Sequence, residues 1–188
     1  MNLSLRALSV AAMLTVASIG GAVAQDNPEV GGAAMFADKN IVENAVNSAD
    51  HTTLVAAVQA AGLVETLSGE GPFTVLAPVN AAFDALPEGT VETLLKPENK
   101  ETLSTILACH VIPAKALSTD IVGMVEADGG EHVVDTVGGC KLTLKAADGK
   151  VTVTDENGTV ANVTIADVIQ SNGVIHVIDA VLTPKSAM

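Results

Sequence analysis

The stretch Gly173–Leu182, GVIHVIDAVL, is apolar at almost every position, and its polar interruptions are His176 and Asp179. A strand that faces water on one side alternates apolar and polar residues, whereas a strand that is apolar on both faces is covered on both. We therefore expect this stretch to form a central strand of the sheet around which the domain is built.

The segment before this strand alternates apolar and polar residues and is interrupted by turn signals. Alternation with a period of two is typical of strands, and the dipeptides Asp148-Gly149 and Asn157-Gly158 are typical of the turns that join them. Three further strands are expected, at Leu142–Lys145, Val151–Thr154 and Val160–Ala166.

Helical spacing dominates the first half of the chain. Asp50 can cap a helix whose apolar residues recur every three or four positions. After a strand at Phe73–Ala77, Asn80 is placed to cap a short helix, and another helix is expected from about Glu98 to His110. Helices in the first half and strands in the second, with a strand at each end of the series, predict an α+β domain.

The N-terminal residues 1–24 have the composition of a secretory signal peptide. Arg6 precedes an apolar stretch from about Ala7 to Ile19, and small residues lead to an expected cleavage site after Ala24. A membrane helix is the alternative, but the apolar run is shorter than the roughly 20 residues that a span needs. We expect an exported protein, periplasmic or extracellular, without a membrane span.

The rest of the chain is expected to form one domain. Residues 25–40 contain Pro28, Gly31 and Gly32 and show no sustained period, which is typical of a lead or linker. The folded unit is expected at residues 41–184, followed by a short tail at residues 185–188. About 164 residues remain after cleavage, enough for one domain with its own core.

The strongly acidic charge of the chain argues against a nucleic-acid partner. The formal net charge is −13, and loss of Arg6 with the signal peptide leaves 8 basic against 22 acidic residues, or −14. Nucleic-acid binders need a basic surface and usually stacking aromatics, whereas the aromatics here are Phe36, Phe73 and Phe83 alone. We expect no nucleic-acid partner, and the acidic surface favours a monomer or a basic protein partner.

The two cysteines, Cys109 and Cys140, are expected to form a disulfide, because exported proteins meet oxidising conditions. The alternatives are a nucleophile paired with His110 or half of a metal site. Adjacent residues at a helix end point apart, which disfavours the first alternative. The chain contains no CxxC or HxxxH spacing, which disfavours the second.

No other catalytic or metal-binding pattern stands out. The chain contains no GxSxG sequence. We interpret the four histidines as surface or hydrogen-bonded structural residues; they are His51, His110, His132 and His176. The acidic segments GMVEADGGEH and DENG lack the spacing of a calcium loop, so solvated loops are favoured. We expect neither an enzyme nor a cofactor or metal.

Three segments together resemble fasciclin-type domains, in order and in spacing: FTVLAPVNAAFDALP, ILACHVIP and SNGVIHVIDAVLTP. The resemblance covers about residues 41–184 and extends to the single-domain fasciclin proteins that bacteria export. It implies a fasciclin-like α+β fold, with a wedge or sandwich of short strands packed against a bundle of short helices. It also implies a role in adhesion and protein interaction.

The resemblance assigns roles to particular residues. His110 matches the histidine of the family's central Tyr-His segment, while Cys109 takes the tyrosine position. Asp167 and Val168 match an Asp-Ile adhesion motif of animal relatives. A partner surface near Asp167, Val168 and His110 is therefore expected, with Asn80 capping its helix and helping to orient His110.

The covalent bridge from Cys109 to Cys140 would then replace part of what the packed tyrosine does in relatives. His110 would be a buried hydrogen-bonding group at the helix C-terminus. The leading hypothesis is a non-catalytic secreted or periplasmic module that binds a protein at the cell surface or in an extracellular matrix. The alternative is a carrier of a small hydrophobic ligand, held in a pocket between the helices and the β-wedge.

Overall fold

The computed structural model describes residues 27–185. The expected signal peptide at residues 1–24 and the last three residues of the expected tail lie outside this range. Within residues 27–185, no helix combines the length and the apolar character needed to cross a bilayer.

Seven strands form one sheet in the order β2-β1-β7-β6-β5-β4-β3. The last strand, β7, lies between β1, to which it is parallel, and β6, to which it is antiparallel. All six residues of β7 are buried, so the prediction of a central strand is confirmed. The strands are β1 Phe73–Pro78, β2 Val111–Ile112, β3 His132–Asp135, β4 Lys141–Ala147, β5 Lys150–Thr154, β6 Val160–Gln170 and β7 Gly173–Ile178.

Seven short α-helices accompany the sheet in the described part of the chain, together with 3-10 helices at Ala49–His51 and Pro97–Asn99. The longest two have 10 residues each. The fold is therefore α+β, as the sequence predicted. The helices are α1 Ile41–Ala45, α2 Thr52–Ala61, α3 Val64–Ser68, α4 Asn80–Asp84, α5 Thr90–Leu94, α6 Lys100–Ala108 and α7 Ser118–Ala127.

The central strands serve two hydrophobic cores, one on each face of the sheet. Val75, Ala77 and Val177 pack into the helix-side core, which they share with the helices of the first half of the chain. Leu76 and Ile178 pack into a second core, which α7 and the strands β4 and β5 complete. Because side chains alternate across a strand, a pair of strands between two cores must bury side chains on both faces, and most of these side chains are apolar.

The N-terminal segment 27–40 differs from the expected linker, because it packs on the domain. Val30 and Met35 are 4% and 7% exposed and belong to the helix-side core. Gly31 and Gly32 adopt positive φ angles of 60° and 73° in the tight turn that positions Val30 and Met35. The Asn27 side chain bonds the backbone of Ile169 in β6. The packed structure therefore begins before residue 41.

Several local predictions need correction. The second half of the chain was expected to contain only strands and turns, yet α7 lies within it, and β3 was not predicted. Asp50 does not cap α2, because it lies inside the 3-10 helix that precedes α2. β7 ends at Ile178 rather than at Leu182, and the carboxylate of the next residue, Asp179, accepts bonds from the backbone and the side chain of Asn162.

Gly173 allows β7 to lie close to β1, and its replacement should be costly. A Cβ atom at this position would overlap the carbonyl oxygen of Phe73. We expect Gly173→Ala to lower the free energy of unfolding by about 1–3 kcal/mol or more, as forced overpacking does. Urea unfolding followed by circular dichroism measures the change.

Gly123 provides the matched control, because it lies inside α7, where an added Cβ atom would meet no neighbouring atom within 4 Å. Gly123→Ala should instead raise stability by about 0.5–1 kcal/mol, because alanine loses less backbone entropy in a helix. Equal effects of the two substitutions would contradict the assigned role of Gly173.

Candidate functional site

The predicted disulfide is present and buried. Cys109 follows α6, and Cys140 immediately precedes β4, with Cα atoms 5.4 Å apart. The two residues are only 1% and 3% exposed. The bridge therefore ties the end of a helix to a strand, and it leaves neither sulfur free to act as a nucleophile beside His110.

His110 lies in the interior, 2% exposed, and both of its ring nitrogens have partners. Nδ1 lies 2.8 Å from the Ile106 carbonyl and must donate to it, so Nε2 is free to accept the Leu182 N–H at 2.9 Å. Burial lowers the His110 pKa to about 4 and outweighs the bond to Ile106. His110 therefore joins α6 to the segment after β7 as a neutral imidazole.

His176, in the middle of β7, follows the same pattern. Its Nε2 donates to the Ala116 carbonyl at 2.8 Å, and its Nδ1 accepts the Asp167 N–H at 3.2 Å. Burial again lowers the pKa below its usual value. The imidazole thus joins the central strand to β6 and to Ala116 in the segment just before α7.

His51 completes the set of three buried histidines. Its Nε2 donates to the Ala77 carbonyl of β1 at 3.3 Å, and its Nδ1 accepts the Ser48 hydroxyl at 2.8 Å. Burial lowers its pKa as well. Each of the three imidazoles donates once and accepts once, so protonation would break one bond at each site. The sequence pattern leaves both the surface and the interior open for these residues, and it does not reveal the Ser48–His51 pair.

The prediction that Asn80 caps its own helix is wrong. Val79 occupies the N-cap of α4, and no side chain bonds there. The Asn80 side chain instead accepts the Thr53 N–H at 3.0 Å and donates to the Ala49 carbonyl at 2.9 Å. It therefore caps α2, a helix distant in sequence, and its bonds do not include His110.

Asp167 is half-buried and has a left-handed backbone, with φ of 59°. Its carboxylate accepts the Ser118 N–H at 2.7 Å and also the Ser118 hydroxyl. The Ser118 N–H lies in the first turn of α7 and has no partner within the helix, so the Asp167 carboxylate supplies the missing acceptor. Ser118 was not predicted, because only the fold brings it to Asp167 from 49 residues away.

Val168 and His110 do not reach the surface. Val168 is 0% exposed and packs in the helix-side core, and His110 is 2% exposed. The expectation that Asp167, Val168 and His110 all face a partner therefore fails for two of the three. The register of β6 with β7 shifts between Ile165 and Val168, so Val168 points into the core directly after the left-handed turn at Asp167.

Asp155, which was expected in a solvated loop, is buried at 7% exposure. Its Oδ1 accepts the N–H groups of Asn157 and Thr159, and its Oδ2 accepts the N–H of Thr183. The carboxylate thus holds the turn before β6 and the C-terminal segment together. Within residues 27–185, no cluster of three metal-ligating side chains occurs.

An apolar cavity of about 80 Å³ lies between the helices and the central strands. Leu54, Val58 and Ile175 are among its walls, and the N-terminal segment contributes Val30 and Met35. It occupies the place where the carrier hypothesis expected a pocket, although pockets for drug-sized ligands are about 300–1,000 Å³. The buried histidines His51 and His110 also reach its edge.

Comparison with known structures identifies the type of fold. The structure of a FAS1 domain pair from the insect cell adhesion molecule fasciclin I matches with a TM-score of 0.69 at 17% identity. The match covers 79% of this chain and 52% of that chain. The seven-stranded wedge and its short helices therefore form a FAS1 domain.

Sequence comparison identifies the family. A Fasciclin domain model matches residues 49–184. Protein sll1483 of Synechocystis sp. is 48% identical over 172 residues, which are 92% of this chain and 88% of that protein. The pig transforming growth factor-beta-induced protein ig-h3 is 40% identical over 71% of this chain, which spans 17% of that longer protein. The chain belongs to the Fasciclin domain family.

Loss of the disulfide should destabilise the domain without unfolding it. The double variant Cys109→Ala/Cys140→Ala opens a loop closed across 31 residues. The expected loss is about 3–4 kcal/mol in the chain-entropy model, measured by urea unfolding. The intact mass of the unmodified protein should not change on alkylation without reductant. Two alkylated thiols, or an unchanged stability of the double variant, would contradict the role of the bridge.

Stability should fall as the pH is lowered from about 6.5 towards 4. In this range an unfolded histidine binds a proton while buried His110, with a pKa of about 4, remains neutral. The difference from the usual pKa of 6.5 corresponds to about 3 kcal/mol for His110 alone. Urea unfolding at a series of pH values measures this loss, and His110→Gln should make the pH dependence shallower. An identical slope in the variant would show that His110 does not cause the loss.

Proposed function

We propose that this chain is a non-catalytic interaction module that acts outside the cytoplasm and binds a basic protein at a cell surface or in an extracellular matrix. Support comes from the family, which includes adhesion and extracellular proteins, and from the matched FAS1 pair of an insect cell adhesion molecule. The signal-peptide pattern at residues 1–24 and the net charge of −13 support export and a basic partner.

The conformation of Asp167 is the observation that carries this proposal. Two non-glycine residues in the described part of the chain have positive φ angles, Asp148 and Asp167. Asp148 lies in the Asp148-Gly149 hairpin turn, where such an angle is expected. Asp167 lies within β6, where the register with β7 shifts between Ile165 and Val168. A strained residue inside a strand indicates a functional constraint when the surrounding structure maintains it.

The surroundings of Asp167 maintain that strain from both sides. The backbone N–H of Asp167 is held by His176, and the carboxylate is held by Ser118. The half-buried carboxylate is thus presented at a fixed position at the start of α7, whose first turn also carries the exposed Asp120. A positioned carboxylate with a second acid nearby favours a lysine or arginine of a partner.

Val168 and His110 have a supporting role in this proposal. Val168 anchors β6 in the core directly after Asp167, and His110 fixes the segment after β7. Neither side chain touches the partner. Their substitution would act on binding only through the position of the strands.

A capture experiment tests the proposal. The chain from Gln25 onwards serves as bait for proteins in envelope and extracellular fractions of the source organism. Asp167→Asn removes the negative charge and retains a side chain that can accept the Ser118 N–H. We expect it to weaken capture of the specific partner about tenfold or more, as loss of a charged interface contact does. The recovered partner is then titrated against both forms by calorimetry.

Ser118→Ala provides the matched control, because it removes the hydroxyl that bonds Asp167 and leaves the carboxylate in place. The proposal predicts that Ser118→Ala binds much more tightly than Asp167→Asn at equal folded fraction. Equal losses in the two variants would show that Asp167 acts only as a cap of α7. Binding unaffected by Asp167→Asn would exclude this surface.

A further inference from the structure

The cavity under the N-terminal segment has an opening. Most of its walls are buried, but Val42 and Ala45 of α1, Val55 of α2 and Val64 of α3 are half-buried, and Gln59 of α2 is exposed. Four of these five residues belong to α1 and α2, so these two helices contribute most of the partly exposed wall. The cavity therefore reaches solvent there, with the Gln59 amide as the polar group at its rim.

The interior of the cavity offers little to water. Ser48 and His51 bond each other, and the remaining nitrogen of His51 donates to the Ala77 carbonyl. Both nitrogens of His110 are likewise occupied. Within the described residues, no buried side-chain nitrogen or oxygen lacks a partner. A water molecule needs two to four polar partners, so a cavity with satisfied walls favours an apolar occupant.

The size of the cavity restricts that occupant further. An apolar cavity of about 150 Å³ is known to bind benzene. The cavity of about 80 Å³ is roughly half as large and accommodates only a few carbon atoms. A flexible, unbranched chain can place its end in such a space and leave the remainder in the opening, whereas a rigid ring cannot.

We propose that this cavity binds the end of an unbranched aliphatic chain, which enters between α1 and α2 and leaves its polar head group beside Gln59. The walls supply the affinity through burial of methylene groups. The N-terminal segment contributes Val30 and Met35 to the buried part of the lining. This binding site does not depend on the partner surface at Asp167, and either function can exist without the other.

Titration of the folded protein with 1-octanol, followed by methyl NMR, tests the assignment. We expect saturable shifts concentrated on the methyl groups of residues that line the cavity, such as Leu54, Val58 and Ile175. Benzene at the same concentration should produce no saturable shifts there. Scattered or unsaturable shifts with 1-octanol, or benzene binding as tight as that of 1-octanol, would overturn the proposal.

Ala45→Leu places a larger side chain in the opening and should weaken 1-octanol binding about tenfold or more, because burial of several methylene groups is lost. Ala60→Leu makes the same change at an exposed position of α2 outside the cavity lining and should bind like the unmodified protein. Val55→Phe, on the opposite side of the opening, is the second blocking variant should Ala45→Leu fail to fold. Unaltered binding in a folded blocking variant would refute the entry route.

Discussion

The parallel pairing of β1 with β7 is the interaction on which the rest of the structure depends. The register runs from Phe73 opposite Gly173 to Pro78 opposite Ile178, so the first strand of the domain lies beside the last. Parallel neighbours require a crossover connection, and here that connection contains all the other strands and the helices α4 to α7. Both cores and the three buried histidines are built on this pair.

The histidines show how the pair organises its surroundings. His51 bonds the backbone of β1, His176 belongs to β7, and His110 bonds the chain just after β7. A neutral imidazole can donate on one side and accept on the other, so it can join two backbone segments that do not pair directly. These residues are buried because they join the helices to the sheet, and their position does not indicate catalysis.

The sequence predicts the fold better than it predicts the site. The apolar pattern of GVIHVIDAVL reflects burial on two faces, so the central position of this strand could be deduced from that pattern alone. Asn80 and Asp167 both cap helices remote in sequence, α2 and α7, and no local pattern encodes such contacts. Val168 and Asp167 separate into interior and surface because of a register shift in β6, which alternation cannot reveal.

Native-state hydrogen exchange measured residue by residue tests the central role of the β1–β7 pair most directly. We predict that amides of Val75, Ala77, Ile175 and Val177 exchange only through global unfolding, at the full free energy measured by urea. Amides of edge strand β3 and of the N-terminal segment should exchange through smaller openings. Exchange of the β1 and β7 amides at a lower free energy than those of β3 would contradict the central role of the pair.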